Sequence, residues 1–175
     1  FDKPDSQEIC FVPANDYASF IERERPQARR PAGSFVGADG TELGFHHGIH
    51  AYTVGQRRGL GVTASGAAAG ERLYVSEIVP EQNKVVLGSR ESLLKEGLVA
   101  SRVRWIVPGT GGGMEVDAVL RYHHPGVGAR VWMNEDQTAR VDFSRPEGPV
   151  TPGQAVVFYQ GEELLGGGWI EKGIG

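Results

Sequence analysis

The sequence predicts a mainly β fold whose second half closes into a small barrel, and three observations lead there. From about Ala100 onward, six short segments follow one another at even spacing: SRVRWIV, MEVDAVLRYH, ARVWMN, ARVDFS, QAVVFYQ and LLGGGWIEKG. Inside them apolar residues recur at every second position, as in Val116, Ala118, Leu120 and Tyr122, in Val141 and Phe143, and in Val156 and Phe158. That is the period of a strand with one buried face. Glycine is abundant, at 26 residues, and ten prolines accompany it, which favours turns and short strands over long helices. Six antiparallel strands with one apolar face must hide their edges, and closing into a barrel does so. A two-sheet sandwich fits the same alternation, and pattern alone does not separate the two.

The elements follow in order. PANDYASFIERERP reads as one short helix. Asn15 or Asp16 is suited to cap it, because a short polar side chain accepts from the free amides of the first turn. Tyr17, Phe20 and Ile21 share a face at helical spacing, and Pro26 ends the helix. In GSFVGADGTELGFHHG the Asp39-Gly40 pair marks a hairpin, since glycine supplies the positive φ of a tight turn. ERLYVSEIVPEQNKVVLGS is a second hairpin, turning at PEQN. RESLLKEG is suited to one or two helical turns. In the strand-only region, Asn134–Thr138 and Gln160–Glu163 read as the tight turns. Tyr122 continues the apolar phase and is expected to fill the core or its rim, with Arg121 and His123 facing out.

Composition narrows the function classes. The formal net charge of -4 argues against a generally basic nucleic-acid coat, though not against a local basic patch. No apolar run approaches the ~18–20 residues of a membrane helix. The N-terminus is polar and acidic, unlike a signal peptide. Cys10 is the single cysteine, so no internal disulfide can form, and a reducing cytoplasm is the simplest setting. The opening FDKPDSQEIC begins neither a strand nor a helix, which leads us to expect a piece of a longer protein.

Four stretches could carry chemistry. In DSQEICF, Cys10 follows a polar run. Free cysteine is most often a small buried hydrophobe, and only a thiolate presented at a cleft would react. In HHGIH, His46 and His50 would share a helix face at metal-ligand spacing. The absence of a second cysteine and of an acid at ligand spacing argues against a metal, so none is expected. A Cys–His hydrolase using His46, His47 or His50 is the other, weaker possibility. GQRRGLGV sets Gln56, Arg57 and Arg58 among glycines, where backbone amides approach an anion closely and arginine forks onto phosphate. It lacks the lysine and hydroxyl of a P-loop. In LRYHHPG, Arg121 beside aromatic residues could hold RNA by charge and stacking, or be an ordinary solvent-facing arginine.

Read in order, DSQEICF, HHGIHAYTVGQRRGLGV, LYVSEIVPEQNKVVLG, LRYHH, VTPGQAVVFY and LLGGGWI resemble the C-terminal half of the bacterial tRNA-specific 2-thiouridylases. The resemblance is collinear over nearly the whole chain. It implies an enzyme, a tRNA-uridine 2-sulfurtransferase, that replaces the C2 oxygen of the wobble uridine with sulfur. ATP, with Mg, adenylates that oxygen; a cysteine persulfide delivers sulfur; a second cysteine then closes a disulfide with the first. It makes Cys10 the persulfide cysteine, with Asp5 and Ser6 in the loop that presents it. Arg121 and Tyr122 match a tRNA-contact pair and Gln154 another contact position. Gln56, Arg57 and Arg58 lie in a family signature and are assigned to tRNA binding or positioning.

The same resemblance divides the chain into residues 1–30, the tail of an ATP-binding catalytic domain with its Cys loop and helix; 31–97, a small central β domain; and 98–175, a C-terminal six-stranded β-barrel. The family's SGGVDS-type phosphate loop and partner cysteine are not in this sequence. We therefore expect this part alone to bind no ATP and to be inactive, with tRNA and a sulfur-donor relay protein as partners, no membrane, a monomeric state and a cytoplasmic location. The rival reading is a non-catalytic RNA- or protein-binding β-barrel module with an inert cysteine.

Overall fold

A computed structural model describes residues 12, 16–28, 31–62, 72–107, 113–134 and 136–175. Cys10, Asp5 and Ser6 lie outside the described residues. Helix α1 (Tyr17–Glu24) begins where Asp16 Oδ1 accepts the amide of Ser19 at 3.1 Å. It closes where the Arg25 amide donates to the carbonyl of Ile21 at 2.8 Å, and Pro26 opens a single 3-10 turn that ends at Ala28. No residue of α1 is fully buried. Glu22 Oε1 lies 2.9 Å from His50 Nε2, which ties the helix to the segment after the first hairpin.

Strands β1 (Gly33–Gly37) and β2 (Glu42–His46) form the hairpin expected around Asp39-Gly40. Asp39 holds the turn by accepting the amide and hydroxyl of Thr41, and Gly40 carries φ 83°. Strands β3 (Tyr74–Val79) and β4 (Lys84–Gly88) form the second hairpin, turning through Pro80–Gln82 with Asn83 in the left-handed region. The two hairpins join as one four-stranded sheet in the order β2-β1-β4-β3, with β1 and β4 parallel. Its core is Phe35, Ile49, Leu60, Val75, Val85 and Leu87.

RESLLKEG makes one helical turn, the shorter of the two lengths expected. A single 3-10 turn covers Glu91–Leu93, and a strand begins at Lys95. The reason is tertiary. Lys95 pairs with Glu147, and Gly97 pairs with both Asp142 and Ile174, so ladder hydrogen bonds outweigh local propensity. Strands β5 (Lys95–Trp105), β6 (Met114–Val119), β7 (Val127–Met133), β8 (Ala139–Glu147), β9 (Ala155–Gln160) and β10 (Glu163–Ile174) close a barrel in the order β10-β5-β8-β7-β6-β9, antiparallel throughout. The structure thus takes the barrel and not the sandwich. Irregularities in the β5–β10 and β9–β10 ladders bend the long strands around the circuit.

The barrel core holds Leu98, Leu120, Val141, Val156 and Ile170, with Phe158 fully buried and stacked on Trp105 at 5.3 Å between ring centroids. Tyr122 is not part of it. β6 ends at Val119, Leu120 is the last residue to turn inward, and Tyr122 is 59% exposed. The phase breaks because the chain turns: His123 adopts φ 56°, the His124 amide donates to the Arg121 carbonyl at 3.1 Å, and His124 goes inside instead. Among the described residues no helix is long and apolar enough to cross a membrane.

Candidate nucleic-acid interface

The arginine loop is built on β3. The Gly55 amide donates to the Val75 carbonyl at 2.8 Å and the Val75 amide donates back to Gln56 at 2.9 Å. The Gln56 side chain closes the loop from within. Its Oε1 accepts the Thr53 amide at 3.0 Å, and its Nε2 donates to the Arg58 carbonyl at 2.9 Å. Leu60 anchors the far side in the sheet core. Gln56 is therefore a brace, while Arg57 and Arg58 are exposed on a loop whose backbone is fixed.

Gln154 ends a turn with Pro152 and Gly153 at its centre. The Gln154 amide donates to the Thr151 carbonyl at 3.2 Å, and Gly153 carries φ 86°, which glycine adopts without steric cost. Two further bonds fasten this turn to β10: the Gly153 amide donates to the Ile170 carbonyl, and the Ile170 amide to that of Gln154, both at 2.8 Å. Arg121 and Tyr122 form the tip of the β6–β7 connection. Val119, the last residue of β6, pairs with Val157 near the start of β9, so the tip that follows β6 and the turn that precedes β9 lie at the same end of the barrel. Residues 33 positions apart are thereby brought to one end of the barrel.

The arginine loop meets that same end. Thr151 Oγ1 donates to the Val54 carbonyl at 3.3 Å. Gly55, at φ 91°, lies so near the β8–β9 connection that an added Cβ would come within 2.8 Å of Pro149 Cγ. Beside this contact a cavity of about 630 Å³ opens between the sheet and the barrel, lined by Tyr52, Glu77, Lys95, Thr151, Glu171 and Lys172 among others.

His124 holds the tip in place. Its Nδ1 accepts the Gly126 amide at 3.1 Å, so the ring proton of the neutral form sits on Nε2, which lies 3.7 Å from Glu147 Oε1. Burial pushes its pKa below the ordinary histidine value; the positive charge of Arg121 adds to this and Glu147 opposes it. His46 is held the same way. Its Nδ1 accepts the Gly48 amide at 3.1 Å, and its Nε2 faces the Asn83 carbonyl at 3.2 Å. With both nitrogens engaged, His46 is a structural brace. His50 meets Glu22 and His47 is exposed. Among the described residues no three His, Cys, Asp or Glu side chains are grouped to hold a metal. Sequence reasoning weighed His46, His47 and His50 as ligands or bases and missed the positioning roles of His46 and His124. The available signal was the histidine two places before a glycine, present in both His46-His47-Gly48 and His124-Pro125-Gly126.

Comparison with known proteins finds relatives for this arrangement. Residues 18–89 match the tRNA methyl transferase PRC-barrel domain, and residues 95–170 the aminomethyltransferase β-barrel domain. The chain is 47% identical to the tRNA-specific 2-thiouridylase MnmA of Geobacter metallireducens over 173 residues, covering 99% of this chain and 45% of that protein. It is 45% identical to the tRNA-specific 2-thiouridylase MnmA of Rhodospirillum centenum, covering 98% and 44%. Over nearly its whole length this chain is similar to part of the tRNA-specific 2-thiouridylases. It spans a little under half the length of these 2-thiouridylase relatives. The two family matches part between residues 89 and 95, at the 3-10 turn that links the four-stranded sheet to the barrel.

Proposed function

We propose that this chain is the β portion of an enzyme that exchanges the C2 oxygen of the wobble uridine of tRNA for sulfur, working in the cytoplasm. In this reading ATP, with Mg, is bound by a region outside this sequence and adenylates O2, releasing pyrophosphate and making AMP the leaving group. The terminal sulfur of a persulfide on Cys10, loaded by a sulfur-donor protein, attacks C2 and AMP departs. A thiolate from a second cysteine, also outside this sequence, attacks Cys10 Sγ. That step closes a disulfide and leaves the second sulfur on the base; an external thiol reductant then resets the pair. Asp5 and Ser6 belong to the loop that presents Cys10. Arg121, Tyr122, Gln154, Arg57 and Arg58 grip the tRNA, with Gln56 bracing the arginines.

The observation that supports this reading best is the convergence of the arginine loop, the Arg121–Tyr122 tip and Gln154 at one end of the barrel, in a chain collinear with the 2-thiouridylases. The test uses the full-length protein with ATP, Mg, a persulfide donor and unmodified tRNA, followed by nucleoside mass spectrometry. Cys10→Ser is expected to abolish 2-thiouridine formation while leaving tRNA binding intact. Undiminished thiolation by Cys10→Ser, or binding without any thiolation by the intact protein, would favour an inert-thiol binding module instead.

A further inference from the structure

Four adjacent barrel strands carry an exposed row that continues from the proposed tRNA contacts. Arg121 lies just past β6, at the barrel end where β9 begins; Ala155 of β9 pairs with Trp169 of β10; Trp169 pairs with Ser101 of β5, and Arg102 follows it. Arg121, Gln154, Ala155, Trp169 and Arg102 are all exposed, and the row crosses three strand spacings, about 14 Å. Trp169 is 46% exposed, a large share for an indole in a barrel wall.

Arg102 is aimed at Trp169 by an unusual backbone. It sits in a strand with φ 49°, a left-handed conformation that non-glycine residues seldom adopt, and the Val103 amide bonds the Gln137 carbonyl at 2.9 Å beside it. The result lays the Arg102 guanidinium over the Trp169 ring, 5.6 Å from its centroid. Several other arginines of the barrel are held by carboxylates, and among the described residues Arg102 is not. Arg130 of β7 pairs with Glu115 of β6, and Arg140 and Arg145 of β8 pair with Asp142 and Glu147 of the same strand. Among the described residues no carboxylate lies within ion-pair distance of Arg102, Arg104 or Arg121. Arg102 is thus a cation laid against an exposed indole with no carboxylate among the described residues engaging it, although Glu115, Asp117, Glu163 and Glu171 lie on the same four strands.

We infer that this β6–β9–β10–β5 wall is an extension of the tRNA surface, in which Trp169 stacks on an unpaired base and Arg102 contacts the adjoining phosphate. Stacking platforms flanked by arginine suit non-helical RNA, because every base has a π face and the backbone supplies the charge. The inference rests on the proposed tRNA reading and adds residues that reading does not use.

The test measures tRNA binding by the full-length protein across a salt series. Trp169→Ala is expected to weaken binding about tenfold with the log–log salt slope unchanged, and Trp169→Phe to restore most of it. Arg102→Ala is expected to weaken binding and to lower the slope by roughly 0.7–0.9, one phosphate contact. Arg140→Ala, at an arginine held by Asp142, serves as the control and should bind as the parent does. Thermal midpoints confirm that each variant is folded. If Trp169→Ala and Arg102→Ala both bind within about twofold of the parent while an Arg121→Ala, Gln154→Ala double variant binds weakly, the extension is wrong and the tRNA reading survives. If the double variant also binds like the parent, both fall.

Discussion

His124 Nε2 stands 3.7 Å from Glu147 Oε1, and this approach couples the β6–β7 tip to the end of β8. Both connections belong to the barrel end that meets the arginine loop, so the protonation state of one buried imidazole bears on the geometry of the whole end.

Acid should therefore weaken the fold in two windows. His46 and His124 are each held below the ordinary value of 6.5, mainly by burial. Such a group binds more protons unfolded than folded between 6.5 and its folded pKa. Its stabilising contribution is complete above pH 6.5 and declines as pH falls through that interval. Arg121 and Arg145 oppose protonation of His124 and Glu147 favours it. A second decline, below about 3.8, comes from Asp39 and Asp136, which hydrogen bonds from Thr41 and Thr138 hold below their usual range. Thermal melts should give a flat midpoint from pH 8 to 7 and a falling one from 6.5 to 5, with His124→Gln reducing the fall. A midpoint constant down to pH 5 would contradict this.

Two aromatic truncations should separate core from surface. Phe158 is fully enclosed and stacked on Trp105, so Phe158→Ala should cost about 3–5 kcal/mol. Tyr122 is exposed, so Tyr122→Ala should cost under about 0.5 kcal/mol. Chemical denaturation of the two variants checks this directly, and comparable losses would mean that Tyr122 packs more tightly than its exposure indicates.

Bracing and charge in the arginine loop should be separable. Gln56→Ala removes two hydrogen bonds but no charge. It should cost about 1 kcal/mol of stability and weaken tRNA binding without altering its salt slope. Arg57→Ala with Arg58→Ala should leave stability nearly unchanged and lower the slope by roughly 1.4–1.8. A slope unchanged in the double variant would remove these arginines from the proposed tRNA surface.

Gly55 is the close contact between sheet and barrel. Gly55→Ala must carry a Cβ at φ 91° and push it against Pro149. A loss of about 1–3 kcal/mol is expected, together with weaker tRNA binding as the arginine loop moves off the barrel end. Calorimetry and a binding assay on one preparation measure both effects, and a fully stable Gly55→Ala would show that the junction yields.

Local chemistry was legible in the sequence wherever it also decided the structure. Asp39-Gly40 made its hairpin, Asp16 capped its helix, and the alternation in β6, β8 and β9 announced their buried faces. What stayed hidden depended on partners distant in sequence. Lys95–Gly97 became strand because β8 and β10 offered ladders. Tyr122 left the apolar phase because His124 bonded back to Arg121. The placement of Arg121 and Gln154 at one barrel end required the β6–β9 pairing, which no neighbouring motif encodes. Cys10 was singled out by resemblance, and its surroundings lie outside the described residues.

The parallel pairing of β1 with β4 has a consequence for the loop that carries Arg57 and Arg58. That loop lies on the connection between the two hairpins, and the hairpins are also joined through the β1–β4 ladder. A peptide bond hydrolysed after either arginine would thus leave both pieces held in one sheet. Trypsin can then act as a footprinting reagent: the nick should appear in the free protein without dissociation, and its slowing by bound tRNA would map the loop to the covered surface.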